Sequence, residues 1–177
     1  MSMTQIAFLR KADLPTNKQI QDTIQKLGYD FQVLSELEKQ IDQDGLDCSI
    51  NGHPTYFETY VDVANNAISE NEADWINPDI TNQDTAISFV WDADFAAGAC
   101  IGLISIALTE LSDALVYYMD DQMKYTREML FADTPQFLDQ LKKQNNKNIQ
   151  QQGSATPGKT NIKAKETFWD NLKNKFK

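Results

Sequence analysis

The chain has 177 residues, 41% of them hydrophobic and 10% aromatic, and carries a formal net charge of −10. That apolar share can fill a core, which excludes a disordered chain, while the negative charge opposes nucleic acid and favours basic partners. The longest apolar run, Phe95 to Leu108, is shorter than the roughly 20 residues a membrane span needs and reads as a buried helix.

In chain order, Ile6 to Leu9 reads as a first strand. Thr16 is placed to cap a helix whose Ile20, Ile24 and Leu27 share one face, and Gly28 closes it. Tyr29 to Leu34 is a second strand. Leu46, Cys48 and Ile50 alternate with Asp47 and Ser49 before Asn51-Gly52, a type I′ turn signal that predicts a hairpin with a return strand His53 to Val63. A two-residue turn pairs Ile50 with His53, Cys48 with Thr55 and Leu46 with Phe57. It places Tyr56, Glu58 and Tyr60 on the opposite face with Asp47 and Ser49.

Asn65 to Gln83, polar and acidic, reads as a surface loop with room for one short helix. Ala86 to Trp91 is a strand. Asp92 or Asp94 then caps a helix from about Ala93 to Ser112, apolar nearly all round and therefore central. Leu115 to Met119 is a strand and Asp120-Asp121 a turn, while Tyr125 to Phe131 fits no single pattern. Thr134-Pro135 reads as N-cap and first position of a helix to about Lys143. Two strand–helix–strand units beside a hairpin predict an α+β fold, a mixed sheet covered by helices.

The charge is unevenly spread. Residues 1–141 hold 7 Lys/Arg against 24 Asp/Glu, a net of −17; residues 142–177 hold nine Lys against Glu166 and Asp170, a net of +7, and the two sum to −10. The expected organisation is an acidic domain over 1–143, a flexible polar linker over 144–162, rich in Asn and Gln, and a basic amphipathic helix over 163–177. In that tail Phe168, Trp169, Leu172 and Phe176 form one helical stripe opposite Lys165, Lys173, Lys175 and Lys177, a pattern that suits a membrane surface or a protein groove.

Catalytic signatures are missing. There is no Gly-rich phosphate loop, no G-x-S-x-G and no C-x-x-C. Gly98 and Gly102 read as close helix–sheet packing. Cys48 and Cys100 read as buried, reduced thiols, and His53, the single histidine, as a polar neighbour of the hairpin turn. The carboxylate pairs Asp42/Asp44, Glu70/Glu72, Asp92/Asp94 and Asp120/Asp121 have no EF-hand spacing and read as solvated surface and helix caps, so neither metal nor cofactor is expected.

The stretch from Phe89-Val90-Trp91-Asp92 through the Ala/Leu-rich helix to Tyr117-Tyr118-Met119-Asp120-Asp121-Gln122, together with the Asn-Gly hairpin leading into Tyr56-Phe57-Glu58-Thr59-Tyr60, resembles small bacterial proteins of the toxin-immunity type. The likeness covers about half the chain, leaves out the tail, and transfers no site residues. It implies neutralisation of a toxin exchanged between bacteria.

The expectation is thus a non-enzymatic cytoplasmic protein that binds a basic protein partner, a toxin or effector, through Tyr56, Glu58, Tyr60, Asp120 and Asp121. An acidic surface of this kind can occupy a partner's basic cleft as a decoy. The alternatives are an adaptor of a membrane-associated assembly, docking at the inner membrane through the tail, and a carboxylate-site, metal-dependent enzyme.

Overall fold

The computed structural model describes residues 2–152. The chain divides into two units, Met1–Asn145 and Asn146–Lys177, and every described strand lies in the first. The strands β1 (Met3–Leu9), β2 (Phe31–Val33), β3 (Leu46–Ile50), β4 (His53–Val63), β5 (Thr85–Trp91), β6 (Leu115–Tyr118) and β7 (Met123–Tyr125) form one sheet in the order β2-β3-β4-β5-β1-β6-β7. The fold is α+β, as expected.

The sheet is not mixed, however: every neighbouring pair is antiparallel. The strand–helix–strand units are real. Helix α1 (Asn17–Lys26) links β1 to β2 and α3 (Phe95–Ser112) links β5 to β6, and each links strands running the same way. In both cases other strands are inserted between the linked pair. Strand β1 itself lies between β5 and β6, so the crossovers create no parallel neighbours.

Local chemistry explains the boundaries. Thr16 accepts the amide of Gln19 while the Gln19 side chain accepts the amide of Thr16, a capping box that opens α1, and Gly28 closes it at φ +92. Asn51 and Gly52 both have positive φ, and the hairpin pairs Ile50 with His53, Cys48 with Thr55 and Leu46 with Phe57, the register the turn predicts. Asp94 caps α3 by accepting the amide of Ala96.

On the first sheet face, Ala7, Cys48, Phe57 and Phe89 lie beneath α1 and α3. Gln5 donates to Ser105 of α3 across this layer at 2.6 Å. Helix α3 is apolar all round because its outer side is covered too, by α4 (Arg127–Gln152). A Cβ on Gly98 would stand 2.5 Å from the Phe137 ring, and one on Gly102 would stand 2.8 Å from the Thr134 hydroxyl. The two glycines therefore serve helix–helix rather than helix–sheet contact. Phe95–Ser112 is the one described helix long and apolar enough to cross a membrane, and it is mostly buried in this layer.

Helix α4 departs from expectation at both ends. It starts at Arg127, not after Thr134, and continues through Gln152, so residues 144–152 of the expected linker are helical. Pro135 lies inside it. An interior proline costs about 3 kcal/mol. Packing offsets that cost: Phe137 and Thr134 fit against the α3 glycines, and Thr134 Oγ1 donates back to the Leu130 carbonyl. The expected tail helix, with Phe168, Trp169, Leu172 and Phe176, lies outside the described residues.

The second face is covered over Ile6, Phe8, Ala86 and Tyr117 by α2 (Ala64–Glu70) and a 3-10 helix, Asp74–Asp79. Ala64, Ala67, Ile68 and Ile76 bury there, so Asn65 to Gln83 is a core layer rather than a surface loop. Trp75 packs edge-on against Tyr117 at 5.5 Å, and the Tyr117 hydroxyl donates to Asp79 at 2.7 Å. This clamp holds the segment down despite its acidic composition.

Candidate functional site

Strand β4 changes partner along its length. Thr55 and Phe57 pair with β3, whereas Glu58 to Val63 pair with β5 on the other side. The second half therefore has an outer edge without a strand, and bare edges invite unwanted pairing. The loop before β3 covers it. Thr59 Oγ1, fully buried, donates to the Asp42 carbonyl at 2.5 Å and accepts from the Gly45 amide at 3.1 Å, and Gln43 donates to the Val61 carbonyl at 3.0 Å.

Tyr56, Glu58 and Tyr60 alternate out of this edge onto the second face, beyond the reach of α2. Tyr56 and Tyr60 are 53% and 47% exposed, high for large aromatic side chains. Both hydroxyls are tethered. Tyr56 donates to the Asp44 carbonyl at 3.1 Å, and Tyr60 donates to Glu58 Oε2 at 2.6 Å. The Glu58 hydrogen bond and charge raise the Tyr60 phenol above its ordinary value. Across the ladders, Asp47 stands opposite Tyr56, Val90 opposite Glu58 and Ser88 opposite Tyr60. Among the described residues no ion pair involves Asp47, Glu58, Asp62 or Glu70.

Where this open half meets α2 there is a cleft of about 440 Å³. Its floor is Thr4, Ser88 and Val90 of the central strands, its walls Tyr60 and Asp62 on one side and Glu70 and Asn71 on the other. Ser88 is the polar interruption in the apolar run Ala86 to Trp91, and that was its visible sign in the sequence. Glu70 carried no such sign beyond its charge, because only the fold-back of α2 over β4 and β5 brings it near Tyr60.

Asp120 and Asp121 lie off the tyrosine ladder, although Asp120 adjoins Thr4 in the cleft floor. They turn the chain between β6 and β7, three strands from β4, or about 14 Å at ordinary strand spacing. Asp120 Oδ2 accepts the Thr4 amide at 3.0 Å, extending the β1–β6 ladder. Both carboxylates lie near Tyr118, whose phenol is pushed well up, first by burial and then by their charge. Their place is a strand end beside buried tyrosines.

The remaining candidates resolve as packing. Cys48 meets Cys100 of α3, and that hydrogen bond together with burial pushes the Cys48 thiol far up, away from the nucleophilic thiolate. His53 Nε2 lies 3.0 Å from Asn145 Nδ2, not from the thiol. Among the described residues no three His, Cys, Asp or Glu side chains converge as metal ligands would. Comparison with protein-family models, with curated proteins and with solved structures finds no match.

Proposed function

We propose that this chain is a cytoplasmic protein-binding protein of the immunity type. It neutralises a basic toxin by laying the open half of its second sheet face over the toxin's positively charged cleft. The observation that carries this reading is the pair Tyr56 and Tyr60, half exposed on an antiparallel sheet, with carboxylates around them that form no ion pair among the described residues. Rigid, partly exposed tyrosines in a charged surround have the make-up of interface hot spots. Carboxylates without an internal ion pair steer and select a basic counterpart. Among the described residues the other face offers no such surface, because α1 and α3 cover it, with α4 over α3.

The test is a deletion strain grown with wild-type sibling cells. Growth inhibition of the deletion strain, relieved by the intact gene but not by one carrying Tyr56→Ala and Glu58→Lys, supports neutralisation through this face. Absence of inhibition, or equal rescue by the variant, overturns it.

A further inference from the structure

We infer that the cleft beside α2 is the anchor pocket for an arginine side chain of the basic partner, an inference that rests on the docking reading above. Where the second face meets α2 it is concave, an open cleft of about 440 Å³ over the central strands. That volume, toward the small end of ligand sites, has room for a long side chain.

The chemistry of the walls selects its charge and shape. Tyr60 contributes an aromatic ring whose hydroxyl is held by Glu58, so the ring is positioned before anything binds. Glu70, on the opposite wall, makes no hydrogen bond or ion pair with the described residues, so its carboxylate is available. Asp62 is partly committed, accepting the Val63 amide and the Asn66 side chain. The floor side chains, Thr4, Ser88 and Val90, are uncharged, with the Asp120 carboxylate on the Thr4 amide beside them, and among the described residues no lysine or arginine lines the cleft. A guanidinium satisfies both walls at once, stacking on a phenol ring while its planar fork meets a carboxylate. An ammonium, a compact point charge, satisfies only the second.

The probe is Nα-acetyl-arginine amide, titrated into the ¹⁵N-labelled full-length chain beside its lysine and citrulline counterparts. Expected is binding of the arginine compound with a Kd on the order of millimolar, with amide shifts at Tyr60, Asn71 and Ser88. The lysine and citrulline compounds should bind about fivefold weaker or less. Glu70→Gln, an exposed change that leaves packing alone, should weaken the arginine compound about threefold or more; Ser88→Phe should block it by filling the floor. Citrulline binding as well as arginine overturns the charge requirement, and lysine binding as well as arginine overturns the specificity. Shifts confined to residues outside the cleft overturn the pocket. If the toxin binds the Glu70→Gln chain as tightly as wild type while Glu58→Lys abolishes binding, the docking reading stands and the pocket falls. If the arginine compound binds in the cleft but no sibling inhibition exists, the pocket stands and the immunity reading falls.

Discussion

Gly45 and Tyr56 compete for the same space: a Cβ on Gly45 would stand 2.6 Å from two carbons of the Tyr56 ring and closer still to its hydroxyl. Gly45 also has φ +88. Gly52, at φ +76, has nothing among the described residues within 4 Å of its Cβ position. Alanine at either site bears the left-handed backbone cost, roughly 1–2 kcal/mol. Only Gly45→Ala must also move the ring, and a crowding cost of about 1 kcal/mol or more is expected on top. Urea unfolding of the two variants should therefore rank Gly45→Ala as the less stable. Placing Tyr56→Ala behind Gly45→Ala should cancel the excess, and if it does not, the ring is not the obstacle.

The Asp79 clamp should show in the acid limb of stability. Hydrogen bonds from Tyr117 and then Lys124 hold its carboxyl below the ordinary value of 3.8. A depressed folded pKa gives stability that is present above the unfolded value and lost as pH falls through the folded one. The denaturation midpoint of the wild type should thus fall as pH drops below about 4, and Asp79→Asn should flatten part of that fall. Parallel acid limbs for wild type and variant would mean that the clamp does not hold the 3-10 helix.

What could be read from the sequence was local. The hairpin register was legible because Asn51-Gly52 admits one turn and the alternation on either side admits one pairing. The tyrosine face followed from the same parity. Strand order was not legible, since a strand–helix–strand unit reads the same whether its strands are neighbours or have β1 inserted between them. Ala64, Ala67 and Ile68 do show helical spacing, but acidic neighbours hid it. Pro135 pointed to a helix start because propensity cannot anticipate that Phe137 and Thr134 bury against Gly98 and Gly102. The cleft was invisible for a related reason: the β4–β5 ladder brings Ser88 beside Tyr60, and only the packing of α2 brings Glu70 over them.

That α3–α4 contact can be tested in its own right. Alanine is the better helix former by about 1 kcal/mol, so on an open helix Gly98→Ala would stabilise. Here the new methyl meets the Phe137 ring at 2.5 Å. Overpacking of this kind costs typically 1–3 kcal/mol, so a net loss of stability is expected. Phe137→Leu should be less damaging in the Gly98→Ala background than alone, a positive coupling in the double-mutant cycle. Stabilisation by Gly98→Ala on its own would mean that α4 does not press on α3 there.

Charge reversal separates the two acidic sites that the sequence grouped together. Glu58 lies in the proposed face; Asp121 lies three strands away, at about 14 Å by strand spacing. At physiological salt the Debye length is about 8 Å, so a charge at the second place is largely screened from the first. Glu58→Lys puts a cation directly under a basic partner and also removes the acceptor of the Tyr60 hydroxyl. Loss of toxin affinity of about tenfold or more is expected by calorimetry, with the thermal midpoint of the free chain little changed because the residue is exposed. Asp121→Lys should leave affinity within about twofold at the same salt. If instead Asp121→Lys costs as much as Glu58→Lys, the partner extends beyond the cleft floor at Thr4 to the β6–β7 turn. The docking face would then be the strand ends rather than the tyrosine ladder.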